Sequence, residues 1–352
     1  MIILLKLAKL FLAESQEPVP SIKDSYVLQL NGHVLLHYYL SATHTNNIGG
    51  GAMNFLATYI MRGRMQAMIV ASSLALLSLM MPPVSVVSSA TVALVTLRRG
   101  GFEGLYVLVC SSLAAGILGF LVTGNYQFAL LYVMVLWLPV WLISIVLREG
   151  QHLSLAVEIA ILLGIIGVVV FYIFAADPAA MWKAVLSQMI PADAPVAEIQ
   201  PTLDILVHYM TGVVAAGSVF GLLFGLFLGR WWQANLYNPG GFKQEFLSLV
   251  TNPRLSIGSV VVVAIALASS GLISEITWNI SILLFVLFTV TGTAVFHTVF
   301  SGMKLGRYMV PMLYITLFLI PHSMLLVAII GLSDPWLNLR NKKSNQQTPD
   351  GV

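Results

Sequence analysis

Glu158, Asn279 and His297 are polar side chains set inside long apolar runs, where chemistry would need them. A carboxylate can accept hydrogen bonds or exchange a proton, an amide can donate and accept, and an imidazole can hold a proton or a metal. Such groups are costly within a membrane, so each is a candidate functional residue. Each also has a plainer reading. Glu158 lies one turn into its run, within reach of an interface near Arg148 and His152. Asn279 follows Trp278 and lies near Glu275, a pattern that also suits an interfacial anchor. His297 follows Thr289, Thr291 and Thr293, where an imidazole more often bonds a backbone carbonyl than a ligand. The short loop GNYQ adds Asn125 and Tyr126, which either meet a ligand or turn the chain.

The candidate ligand-binding residues are therefore Asn125, Tyr126, Glu158, Trp278, Asn279 and His297. No catalytic residues, metal ligands or cofactors are assigned. The sequence has no GxxxxGKS/T phosphate loop, no HExxH and no GxSxG elbow. The chain thus does not bind ATP through such a loop, and the signatures of that zinc protease type and of an elbow-type hydrolase are missing. No Arg-rich helix reads as a voltage sensor. The single cysteine, Cys110, excludes a disulfide scaffold within one chain.

Two ladders of small residues stand out. Gly217, Gly221, Gly225 and Gly229 recur every fourth residue in GSVFGLLFGLFLGRWW. Residues four apart share a helix face, so these glycines form a groove. In lipid, helices associate through close backbone contact, which small residues permit. Packing within the chain is the first expectation, and a sliding or partner face the second. Ala67, Ala71 and Ala75 form a similar face, read as helix packing or partner docking. Arg230, Trp231 and Trp232 read as an interfacial anchor for the glycine helix.

These residues need helices to place them. The chain is 58% hydrophobic and 9% charged, with a mean hydropathy of +0.91. Soluble domains carry roughly 25% charged residues. The fold class is thus all-α, a polytopic transmembrane bundle whose lipid partner is the bilayer, and nucleic acid is not a partner. Apolar runs cover 65–81, 84–97, 103–123, 128–147, 153–175, 210–230, 256–273 and 277–299. A last run, 308–332, reads as a hairpin turning at Pro321, matching an earlier one at Pro82-Pro83. The total is about ten crossings. Arg62, Arg64, Arg98, Arg99, Arg148, Arg230, Lys243, Arg254, Lys304 and Arg307 then share one side, with Lys183 on the other. The positive-inside rule makes that shared side cytoplasmic, together with both ends of the chain.

Outside the spans, 177–209 forms an external segment. Met181, Trp182, Val185, Leu186, Met189 and Ile190 share one helical face there, as in a helix lying on the membrane. Residues 231–255 form the largest cytoplasmic loop, with turn chemistry in YNPGGF. Residues 1–52 read as a non-native or disordered N-terminal extension, with translation starting at Met53. Residues 53–340 form the membrane domain and 341–352 a disordered cytoplasmic tail.

MRGRMQA before the first run, the Pro82-Pro83 hairpin, LYNPGGF followed by Glu245-Phe246, and the closing GLSDPWLNLR resemble the YybS-like family of bacterial membrane proteins. The resemblance covers about Met53 to Arg340. That family is grouped by similarity with the S components of energy-coupling-factor transporters. The resemblance implies a small-molecule ligand, and as partners a transmembrane coupling subunit and separate ATPases. It also implies docking through an Ala-xxx-Ala face, which Ala67 and Ala71 match. The extra crossings depart from the six-helix S-component plan. The expected function is a small-molecule binding or transport component without its own ATPase. The alternative is a structural or assembly protein that holds partners through the glycine groove and the 231–255 loop. A cavity open to the outer face separates the two, since a scaffold needs only a filled interior.

Overall fold

The computed structural model describes residues 50–191 and 196–340. The expected extension up to residue 49 and the tail from 341 lie outside the described residues. Fourteen helices follow one another, and no strand occurs among the described residues. They are α1 (Gly50–Arg62), α2 (Arg64–Leu77), α3 (Val84–Arg99), α4 (Gly101–Thr123) and α5 (Gln127–Gly150). Next come α6 (Leu153–Phe174), α7 (Pro178–Ser187), α8 (Val196–Leu206), α9 (Met210–Tyr237) and α10 (Gly241–Leu247). The last four are α11 (Pro253–Ala268), α12 (Gly271–Ser301), α13 (Gly306–Leu319) and α14 (Ser323–Leu337).

Five helices, α4, α5, α6, α9 and α12, are long and apolar enough to cross a membrane. The protein is a membrane helical bundle. The five other helices expected as spans, α2, α3, α11, α13 and α14, have 14 to 16 residues. At 1.5 Å per residue they reach roughly 21–24 Å, short of a ~30 Å hydrocarbon core.

Two helices are central. α3 is buried continuously from Ser88 to Leu97. Its Ser, Ala, Thr and Val side chains are small on every face, so α2, α4, α5 and α9 all pack against it. Ser88 Oγ donates to the Ala71 carbonyl at 2.8 Å, which ties α3 to α2. α12 is the second centre, packed by α6, α9, α11, α13 and α14. α9 touches both centres and joins the two halves.

Gly225 and Gly229 explain how α9 meets α3. A Cβ on Gly229 would stand 2.7 Å from Ala93 Cβ and 3.0 Å from the Ala90 carbonyl. One on Gly225 would stand 2.3 Å from Ser89 Oγ. These two glycines are a packing face within the chain. The other half of the ladder differs: Gly221 has only a Leu136 methyl at 3.7 Å, and Gly217 has nothing within 4 Å. Another close helix crossing lies outside the two ladders. A Cβ on Gly292 of α12 would lie 2.0 Å from the Val327 carbonyl, and one on Gly331 of α14 would lie 2.1 Å from the Phe288 carbonyl.

Ala67, Ala71 and Ala75 are buried inside the chain, as the helix-packing reading of that face requires, and present no free docking surface. Two sequence expectations need correction. α9 continues to Tyr237, which places Arg230, Trp231 and Trp232 within the fold. Trp232 is fully buried, and Arg230 is 9% exposed and paired with Glu245. Finally, the turn expected at 274–276 lies at Ser269-Ser270, and α12 starts at Gly271, where φ is +63°. That left-handed position suits glycine and lets α12 begin six residues early.

Candidate functional site

Eleven of the twelve Lys and Arg residues between 50 and 340 lie at one end of the bundle, on helix termini or the loops joining them. This is the basic end. Many of its charges hold backbone groups. Arg148 donates to the Leu97 carbonyl at 2.8 Å, and Arg99 donates to the Met61 carbonyl. Arg230 donates to Glu245 at 2.9 Å and to Gln233 at 3.1 Å. Arg340 pairs with buried Asp334 at 3.0 Å and donates to the carbonyls of Leu247 and Leu249. Burial pulls the Arg340 guanidinium below its ordinary value, against the opposing effect of Asp334. Glu158 belongs to this end: its Oε1 accepts from the Asn252 amide at 2.7 Å, so it holds the loop before α11.

The far end is built differently. Here α12 carries Glu275, Trp278 and Asn279 at positions i, i+3 and i+4, on one face. Glu275 accepts from the Tyr172 hydroxyl of α6 at 2.7 Å and faces His208 Nδ1 at 2.9 Å. Asn279 is fully buried beneath them. Its Nδ2 donates to the His208 carbonyl at 2.7 Å, the Glu275 carbonyl at 2.8 Å and the Tyr172 hydroxyl at 3.1 Å. Its Oδ1 accepts from the Gly212 amide. Gly212 is required there, because an added Cβ would lie 2.7 Å from the Asn279 carbonyl. One amide thus fixes α6, α9 and α12 and the 207–209 turn.

Above this knot lies a cavity of about 510 Å³. Asp204, His208, Tyr209, Ser274, Glu275 and Trp278 contribute to its lining. The Glu275 side chain is 19% exposed and that of His208 50% exposed, so the pair is reachable from the cavity. Lys183 of α7 pairs with Asp204 of α8 at 2.8 Å, and Gln200 donates to the same carboxylate at 2.9 Å. These two donors hold the Asp204 carboxyl below its usual range. α7 carries Met181, Trp182, Val185 and Leu186 of the face expected in the external segment and ends at Ser187, before Met189 and Ile190. Its indole donates to Thr211 Oγ1 at 2.8 Å and lies 6.0 Å from the Phe171 ring. The pair and the indole tether α7 beside the cavity.

A second cavity of about 480 Å³ lies deeper, between α9 and α13. Its walls include Phe220, Phe224, Phe227, Val290, Tyr314 and Phe318. His297 lies behind it, with Nε2 3.0 Å from the Tyr314 hydroxyl. A phenol is thus one partner of this imidazole.

Of the six candidate ligand residues, Trp278 lines the polar cavity, and Asn279 supports it from below. His297 supports a wall of the apolar cavity through Tyr314. Glu158 holds a loop instead. Asn125 caps its own turn, accepting from the Gln127 amide at 2.8 Å, and Tyr126 points outward. Sequence reasoning passed over His208, Tyr209, Tyr172 and Glu275 as site residues. The available signal was the Glu275, Trp278, Asn279 spacing, which a helix begun at residue 277 cuts apart.

Comparison of the chain with protein families, with curated proteins and with solved structures found no match.

Proposed function

We propose that this membrane protein binds a small polar molecule in the far-end cavity, as a receptor or transport component without its own ATPase. The observation that carries the reading is the cavity itself, with Glu275, His208, Trp278 and Tyr209 converging on about 510 Å³ of open space. A scaffold has no use for such a space. The lining suits a ligand that donates hydrogen bonds and bears positive charge. Glu275 and Asp204 accept, and the faces of Trp278 and Tyr209 attract cations. Ser274 is the hydroxyl on the wall, and it donates to the Ala266 carbonyl at 3.0 Å rather than to His208. This favours binding over hydrolysis.

In this reading the basic end is cytoplasmic and the far end faces outward, with about ten crossings in a bacterial inner membrane. The YybS-like resemblance and the positive charges of the basic end support that placement. Partner subunits and ATPases would have to dock elsewhere than on Ala67, Ala71 and Ala75, which are buried. Gly225 and Gly229 are likewise occupied by α3.

The test is purification of the full chain in mild detergent, with mass spectrometry of what copurifies and a thermal-shift screen of small amines, acids and neutral polar compounds. A stabilising amine whose effect disappears in Glu275→Gln supports the proposal. No stabilising compound and no copurifying metabolite would overturn it.

A further inference from the structure

The apolar cavity between α9 and α13 is a slot that runs along the helices. Pro83 and Met324 lie at its far end, and Phe246 of α10 lies toward the basic end. Phe220, Phe224 and Phe227 form one stripe of α9 along it, a rise of about 10 Å. None of its lining residues is charged. The two threonines on its wall turn their hydroxyls away: Thr289 donates to the Phe285 carbonyl at 2.8 Å, and Thr293 donates to the Thr289 carbonyl at 2.7 Å. The Tyr314 hydroxyl is engaged with His297.

Water needs two to four polar partners to occupy a cavity. This slot does not supply them. Protein interiors are also close-packed, and an empty space of this size forfeits dispersion contacts along its whole wall. The material available to fill it is set by the mouth. There α13 exposes Met312, Ile315, Phe318 and Leu319, so the slot is continuous with a lipid-facing surface. Phe318 belongs to both, lining the slot and standing 52% exposed.

We infer that the slot holds one hydrocarbon chain of a bilayer lipid, lying parallel to α9 with Phe220, Phe224 and Phe227 along its length. The occupant is a chain rather than a headgroup, because no charged group and no open hydrogen-bond donor faces the space. This site is separate from the polar cavity, and its occupancy does not depend on the function proposed above.

The experiment reconstitutes the full chain in vesicles of phosphatidylethanolamine and phosphatidylglycerol. A trace of phosphatidylcholine carries a photoactivatable diazirine in mid-chain, and adducts are mapped by mass spectrometry. Leu113, Ile117 and Leu121 on the exposed face of α4 serve as the reference for ordinary lipid contact. Adducts on 220–227 and 314–318 should exceed that reference several-fold per residue. Val290→Trp, which fills the slot, should bring them down several-fold while the α4 adducts stay unchanged. Thr293→Phe is the second filling variant, used if the first does not yield folded protein. Slot labelling at or below the α4 level would overturn the inference. So would labelling that survives the filling variant obtained in folded form.

Discussion

The two ends of the bundle both gather polar groups, yet they use them in opposite ways. At the basic end, Arg99, Arg148 and Arg340 reach across to carbonyls of other segments, and Arg230 meets Glu245. Their donors are committed to carbonyls or to a paired carboxylate within the fold. At the far end, Asn279 completes the backbone bonding from below, which leaves Glu275 and His208 facing a cavity. A polar cluster that closes on itself holds a fold together, whereas one arranged around space can accept a ligand.

That contrast can be broken by substitution. The largest effect is expected from Arg340→Met at the basic end. It strands Asp334, whose other oxygen already lacks a partner, and frees the carbonyls of Leu247 and Leu249. Removing one partner of a buried pair costs about 3–5 kcal/mol. Unfolding in detergent should show that loss, while any ligand-induced stabilisation that remains measurable keeps its size. Asn279→Leu comes next. It leaves the buried Gly212 amide unsatisfied, a loss of about 1–3 kcal/mol, and it should also weaken ligand binding because the Glu275 and His208 positions loosen. A variant that lost stability but bound normally would deny Asn279 its positioning role.

Trp278→Ala sharpens the comparison from the other side. Its side chain lines the cavity. Stability should change little and affinity should fall about tenfold, or 1.4 kcal/mol, by titration of the stabilising compound. The smallest effect belongs to the exposed Lys183–Asp204 pair. The Asp204 carboxyl is held low in the folded protein. Its contribution is therefore fully present above the unfolded value of about 3.9 and is lost as pH falls through the lower folded value. Asp204→Asn should remove that acid-side dependence and leave the unfolding midpoint at neutral pH little changed, as read by unfolding midpoints across pH.

Much of the architecture could be read from hydropathy, because the apolar runs fall mostly on helices. Helix termini were less legible. Gly271 shifts α12 six residues toward its start, and only the shifted helix presents Glu275, Trp278 and Asn279 together. Arg230, Trp231 and Trp232 read as an interface because a charge follows an apolar run, but Glu245 arrives from α10 to pair with Arg230, and both tryptophans are buried in the fold. The glycine ladder was visible, although its period could not tell Gly229, pressed on Ala93, from Gly217, which meets nothing. Gly292 and Gly331 lie in runs without a repeat, so their crossing emerges only when α14 folds back on α12. His208 escaped notice because its partner lies 67 residues away.

The latch at Arg340 also sets an order of events during synthesis. Its contacts reach back 93 and 91 residues to the carbonyls of Leu247 and Leu249. A ribosome adding roughly 5–20 residues per second takes about 5–20 s to cover that distance. Throughout that interval the stretch after α10 has been made but lacks the side chain that fastens it. Whatever shields those carbonyls meanwhile, water or a chaperoning surface, must be displaced when residue 340 arrives, so the closing of the basic end waits for that residue.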